Sequence, residues 1–400
     1  VWYAQQAVKS TITTTIATSS INNNIINNNN NYNKNDNIIH VNNNNKLLLE
    51  KLSDCTSSEM GEYLLEPSFL QENVVRSTAL HLENRSIARM ANENCKTSSE
   101  RVRYVDPTMM NITLLCNYGR DYDAILRRLP EEYANFSFLI CDGDCAVMPQ
   151  EAALIGKSRA NMVAEGVHRS ITILPLNLNR HLARIVDAYY DEYHFRSKQP
   201  TAVWRGTTTN KCWRRGFDLV SAYDHDHYES IVNCTRWNLV VRWTRSKDKR
   251  VDVGLVDLVQ GGLNPGVENV LEPTLKRHLP LKDLLKHRYL VVVEGNDVAT
   301  SLKWALASNS VVMMPPPTRD SFLLERLLIP WKHYIPLAYD TSDLIQKIEY
   351  CERNLYHCEE IAYNSKQVME KFLDFDEVYQ IGAAVLKCHL DLLISAGVYD

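Results

Sequence analysis

The chain has 400 residues, of which 45% are hydrophobic and 23% charged, with a formal net charge of −4. That length allows two domains with substantial cores, and the balance is that of an ordinary soluble globular protein. The acidic net charge gives no reason to expect nucleic acid or an anionic membrane surface as a partner, and no apolar run reaches the ~18 residues of a membrane-spanning helix.

Residues 1–55 stand apart. Threonine and serine give way to the asparagine tracts Asn22–Asn24, Asn27–Asn31 and Asn42–Asn45. Polar low-complexity sequence buries too little apolar surface to offset chain entropy, so a disordered stem or linker is expected, or a repeat expansion without a role. The 10 cysteines are scattered, without CxxC pairs. This argues against a zinc site and suits buried thiols or a few disulfides in a secretory compartment. The sequons at Asn84, Asn111, Asn135 and Asn233 permit a lumenal location without requiring one. The chain starts at Val1 and shows no signal peptide, so an anchor in a preceding segment stays open.

Residues 60–130 read as helix with loops. Phe136 to Cys141 is a buried strand ending in Asp142-Gly143-Asp144. Ile171 to Leu174 is a second strand, stopped by Pro175, and 181–193 reads as an amphipathic helix. Ala202-Val203-Trp204 is a strand entering Arg205-Gly206-Thr207. Tyr289 to Glu294 forms another, followed by a glycine turn, a helix over 299–308 and a strand from Ser310 to Met314, closed by three prolines. Helices follow over 342–354, 357–373 and 376–394. Such alternation implies parallel sheets covered on both faces, with ligands beyond the carboxyl ends of the strands.

Several segments carry chemistry. The turn at Gly295 and Asn296, before Ser301 and Lys303, has the strand–loop–helix form of an anion site. Arg205 could clamp a diphosphate bidentately, with Gly206 and Thr207 lining its path, or be a surface arginine in a polar turn. Asp142-Gly143-Asp144 admits a DxD metal site, a general base, or a plain Asp-Gly turn, which is commonest for these residues. His333 lies in Trp331-Lys332-His333-Tyr334-Ile335-Pro336, near a nucleotide or simply in a structural turn. Trp213, Arg214 and Arg215 are a donor clamp or a solvated face, and the face is the commoner case. His168, His181, His225 and His227 form no metal-ligand pattern. Asp252-Val253-Gly254 is a ligand loop or an ordinary turn. No GxSxG, Walker or kinase signature occurs.

The ordered set Trp204-Arg205-Gly206, His287-Arg288-Tyr289-Leu290, Glu294-Gly295-Asn296, Ser301-Leu302-Lys303, Ser308-Asn309-Ser310-Val311-Val312, Pro330 to Pro336, Asp343-Leu344 and Ile361-Ala362 resembles the protein O-glucosyltransferase and capsule-associated family, glycosyltransferase family ninety. It covers about residues 200–375, with a looser match back to about 135. The resemblance implies a GT-B-like α/β fold of two Rossmann-like lobes with a cleft between them. The acceptor lobe would be 56–200 and the nucleotide-sugar lobe 201–400 with its helical tail.

It further implies inversion at the sugar carbon, a UDP-sugar donor (glucose or xylose), a protein or glycan acceptor, and no required metal or other cofactor. On it, Arg205, Gly206, Thr207, Gly295, Asn296, Ser301, Lys303 and His333 contact the donor. Lys303 stands where the family carries arginine, keeping charge but losing the bidentate fork. The base is Asp142 or Asp144, in a neighbourhood that departs from the family pattern. The competing expectations are a metal-dependent DxD transferase of GT-A type and a non-catalytic relative that binds nucleotide or glycan. The expected location is the Golgi or endoplasmic reticulum lumen.

Overall fold

A computed structural model describes residues 54–64, 75–76, 78–79, 102–105, 118–133, 135–141, 153–160, 171–209, 235–259 and 269–399. The asparagine tracts, Asp142, Asp144, His168, Trp213, Arg214, Arg215, His225 and His227 lie outside the described residues.

The N-terminal half contributes β1 (Val102–Val105), α1 (Gly119–Leu126), β2 (Phe138–Cys141), β3 (Leu154–Gly156), β4 (Ser158–Ala160) and β5 (Ile171–Ile173). The sheet order is β1-β2-β3-β5. β1 runs antiparallel to β2, whereas β2, β3 and β5 are parallel. Continuous apolar runs announced β2 and β5. β1 corrects the reading of 60–130 as helix with loops: Val-Arg-Tyr-Val alternates, but four residues are too few to separate strand from loop. β4 leaves this sheet and pairs antiparallel with β10 (below), tying the N-terminal half to the C-terminal half.

The helix expected over 181–193 is two short ones, α2 (Leu178–His181) and α3 (Ile185–Tyr189), with Arg184 between them outside helical geometry. Next come β6 (Gln199–Thr207), α4 (Thr235–Ser246), β7 (Val251–Asp257), β8 (His287–Val291), α5 (Leu302–Ala307), β9 (Val311–Met314), β10 (Arg319–Ser321) and β11 (Ile335–Pro336). The helices α6 (Leu344–Arg353), α7 (Leu355–Met369) and α8 (Phe375–Ser395) complete the chain. Asp252-Val253-Gly254 is neither loop nor turn but the middle of β7.

The second sheet has order β11-β9-β8-β6-β7, and every pair in it is parallel. Side chains alternate between its faces, as strand geometry requires. Ala202, Trp204, Tyr289, Val291, Val311 and Met313 pack with Trp237, Leu239 and Val240 of α4. Val203, Leu290 and Val312 pack with Leu302, Ala305 and Leu306 of α5. The crossover after β6 therefore covers one face and the crossover after β8 the other. β7 and β9 lie on opposite sides of the adjacent β6–β8 pair, so the strand order reverses there. Such a switch point leaves a crevice outside the carboxyl ends of the two strands.

The cluster that includes α5 also holds Phe138, Ile140, Ile155 and Ile173 of the first sheet, so one hydrophobic core runs through both sheets. The described residues belong to one compact unit. Disulfides join Cys55 to Cys388 and Cys351 to Cys358.

α8 is long and apolar enough to cross a membrane by length and composition, which corrects the expectation that no apolar run reaches that size. It is nevertheless a core helix: Val378, Ile381, Val385, Leu386, Leu390 and Leu393 are buried. Its fully buried His389 hydrogen-bonds Thr172 of β5 at 2.9 Å.

Candidate active site

A cavity of about 300 Å³ opens at the switch point. Its walls include Trp204, Arg205, Gly206 and Thr207 from the end of β6, Thr209, Arg236 of α4, and Gly295, Asn296, Asp297, Thr300 and Ser301 between β8 and α5. The N-terminal half adds Lys157, Arg180 and His181. Most donor-contact residues expected from the sequence therefore converge on one space. Two of them do not line it.

Lys303 is fully buried. Its Nζ pairs with Glu325 Oε1 at 2.6 Å and donates to Ser321 Oγ at 2.8 Å. The reason is helical: positions two apart point to opposite sides of a helix. Ser301 meets the cavity at the start of α5, so Lys303 is carried round into the protein. His333 is the other outlier. Its Nδ1 accepts the amide of Ile329 at 2.9 Å, which makes it the stay of a turn before β11. Burial first and Lys332 second hold its imidazole below the usual histidine range.

Arg205 lines the cavity, but its guanidinium is already engaged. Nη2 contacts both carboxylate oxygens of Asp252 at 3.0 and 2.8 Å, and Nη1 reaches the Asp252 carbonyl at 2.8 Å. Lys276 binds the same carboxylate at 2.8 Å. Burial pushes the Asp252 carboxyl up, yet these two cations together hold it below its ordinary value.

The cation the sequence did not single out is Arg236, in the first turn of α4. Nε donates to the carbonyl of Glu294 at 3.0 Å, and Nη1 to the carbonyl of Thr207 at 3.0 Å and to Thr209 Oγ1 at 2.5 Å. The guanidinium carbon lies 5.8 Å from the Trp204 ring centre. It forms no ion pair with a carboxylate among the described residues. Burial, then Arg180, push its pKa down to about 10 against the pull of Glu294, so it stays a cation at neutral pH.

Gly295 makes this seat available. A Cβ there would sit 2.8 Å from Arg236 Nη2 and 3.0 Å from Thr209 Oγ1. The loop's backbone therefore approaches the guanidinium closely because no side chain intervenes. Arg236 lies outside every motif found in the sequence, and α4 itself went unread. The helix follows the segment 210–234, whose composition hides its start.

Lys157 lies 3.2 Å from Asp297 Oδ2, and Ser158 Oγ lies 2.5 Å from the same oxygen. Arg180 is exposed and has no hydrogen bond or ion pair among the described residues. The lining cations are thus Lys157, Arg180, Arg205 and Arg236. Asp297 answers the first and Asp252 the third. Arg180, exposed, and Arg236 form no ion pair with a carboxylate among the described residues, so the lining of the cavity is predominantly cationic. Among the described residues no cluster of three or more His, Cys, Asp or Glu could hold a metal.

The sequence model of glycosyl transferase family 90 matches residues 175–395, more than half of the chain and all of the second sheet. The chain belongs to glycosyl transferase family 90. Its class of activity is accordingly glycosyl transfer, from a sugar donor to an acceptor. Family 90 membership agrees with the individual relatives. O-glucosyltransferase LpsA of Dichelobacter nodosus is 27% identical over 277 residues, which is 69% of this chain and 73% of that protein. Protein O-glucosyltransferase 2 of Danio rerio is 33% identical over 115 residues, 28% of this chain and 22% of that protein. Uncharacterized protein 027R of Frog virus 3 is 27% identical over 183 residues, 42% of this chain and 17% of that protein. The chain thus spans most of the bacterial relative but less than a quarter of the other two.

Proposed function

We propose that this family 90 chain is an inverting glycosyltransferase that moves glucose or xylose from a UDP-sugar to a hydroxyl of a protein or glycan. The observation that carries the reading is the pair of cations without carboxylate partners, Arg180 and Arg236, in a cavity walled by glycine backbone at a sheet switch point. A diphosphate brings negative charge that these arginines lack; Arg236 offers it a fixed cation and the Nη2 hydrogen not spent on the carbonyls of Glu294, Thr207 and Val293 or on Thr209. The names of the O-glucosyltransferase relatives support a glucosyl donor.

In the proposed step the acceptor oxygen attacks the anomeric carbon. The bond from that carbon to the β-phosphate oxygen breaks, and UDP leaves with the electron pair. Asp142 or Asp144, just beyond β2, takes the acceptor proton. The arginines stabilise the charge that develops on the leaving phosphate, the role a metal plays in other transferases.

The two sheets support a GT-B-like arrangement, with 56–200 as the acceptor side, 201–400 as the donor side and 1–55 as a stem. The disulfides Cys55–Cys388 and Cys351–Cys358 support a home in the secretory-pathway lumen. The test is donor turnover with and without EDTA. Activity that survives EDTA is expected; activity lost with the chelator and restored by manganese would favour a metal at Asp142-Gly143-Asp144. UDP binding without turnover of any donor would favour a non-catalytic relative.

A further inference from the structure

The end of β6 forms one wall of the cavity and is braced on both of its faces. On one face the Trp204 ring folds over Gly206, where a Cβ would come within 2.4 Å of Trp204 Cζ2. The same ring lies against the Arg236 guanidinium. Arg205, the next residue, points to the other face. It makes five hydrogen bonds, as many as a guanidinium has N–H groups, and all go to protein atoms. Nε donates to the carbonyl of Arg277 at 3.2 Å, Nη1 to those of Trp204 and Asp252 at 2.9 and 2.8 Å, and Nη2 to the Asp252 carboxylate. One side chain thereby joins β6, β7 and the segment 275–277, which runs beside β7 and donates the Lys276 amide to Leu255.

The Asp252 carboxylate holds that clamp in place. Both of its oxygens take Nη2 of Arg205, and Oδ1 also takes Lys276 Nζ at 2.8 Å. Lys276 reaches it across Gly254, where a Cβ would sit 2.6 Å from Lys276 Cγ, so glycine keeps this path open. Arg205 lines the cavity, but Asp252 does not. Just beyond the clamp, between Gly206 and Thr207, the register of β6 against β7 shifts. Such an irregularity re-aims the chain that follows it. Here it sets the Thr207 carbonyl, which accepts from Arg236 Nη1 at 3.0 Å.

We infer that Asp252 is a positioning residue of the donor site, acting through Arg205 to fix the end of β6 on which Arg236 is seated. This rests on the UDP-sugar reading above, with Arg236 at the diphosphate. A site whose supporting residues are loosened loses affinity even though its own binding groups are all present. Charge alone predicts the opposite. Asp252 is an acid beside a cationic cavity, so a role limited to its charge means that removing it tightens the hold on an anion. The direction of the change therefore separates positioning from charge.

Isothermal calorimetry with UDP on wild type, Asp252→Asn and Asp252→Glu reads that direction, with melting curves to confirm folding. UDP should bind Asp252→Asn about tenfold more weakly than wild type, as when the partner that orients a binding side chain is lost. Asp252→Glu keeps the charge and moves the carboxylate out by one methylene, so UDP should bind it at least about threefold more weakly. Because it preserves the ion pair, Asp252→Glu decides the matter should Asp252→Asn fail to fold. A folded variant of either kind that binds UDP as tightly as wild type, or more tightly, overturns the inference and leaves the donor reading standing. Wild type that binds no UDP overturns the donor reading, and this inference with it.

Discussion

Arg236→Ala separates binding from stability more cleanly than any other change in the cavity. The side chain makes three hydrogen bonds of 3.0 Å or less. Each contributes about 0.5–1.5 kcal/mol to the folded protein. The same side chain also buries a cation with no carboxylate, a penalty of several kcal/mol. Removing it deletes both effects, so the ligand-free protein should melt within about 4 °C of wild type, the equivalent of roughly 1–2 kcal/mol.

Binding should respond quite differently. Truncating one partner of a buried, hydrogen-bonded charge pair costs about 2–5 kcal/mol of affinity, a range that includes a hundredfold. UDP at about 100 times its wild-type Kd stabilises the folded state by about 2.7 kcal/mol. After a hundredfold loss the same concentration contributes only about 0.4 kcal/mol. A melting shift of roughly 5 °C in wild type should therefore shrink to under about 1 °C in the variant. Arg236→Lys should recover part of the shift through charge. The assay is differential scanning fluorimetry across a UDP titration. A variant that keeps the full UDP-dependent shift would refute the assignment of Arg236 to the phosphate.

Gly295→Ala places a Cβ 2.8 Å from Arg236 Nη2, so it should displace the guanidinium and weaken UDP about as much as Arg236→Lys, with a near-normal melting temperature; wild-type UDP affinity in calorimetry would contradict this. Lys303→Met leaves Glu325 buried without its cation, and breaking such a pair typically costs about 3–5 kcal/mol. Urea denaturation should show that loss, while the folded variant binds UDP as tightly as wild type. Weakened binding without destabilisation would return Lys303 to the phosphate site. His389 is held neutral by burial, with its pKa lowered to about 3 from 6.5. The unfolded chain therefore binds the extra proton between these values, and stability is complete above 6.5 and falls as the pH drops towards 3. Between pH 7 and 5 the loss from this group is about 2 kcal/mol. His389→Gln should remove that part of the slope, and an unchanged slope would show that another group carries it.

The strands of the second sheet are apolar runs with turn residues at their ends, and period and punctuation announced most of them: β6, β8, β9 and the helical tail. Arg205, Gly206, Gly295 and Ser301 were visible for the same reason, since backbone turns beside strand ends leave a mark in local sequence. β7 was missed because Asp252 and Gly254 look like a turn until the strand is seen paired on both its residues and its carboxylate. Lys303 and His333 were assigned by position along the chain, whereas side-chain direction depends on helix phase and on what packs opposite. Arg236, Arg180, His181 and Asp297 have no common motif; they come from separate elements brought together at one crevice. Local sequence thus determined which strands and turns could form and the family to which they belong. Only the tertiary structure decided which charges find carboxylates and which are left facing the cavity, because that depends on distances between residues far apart in the chain.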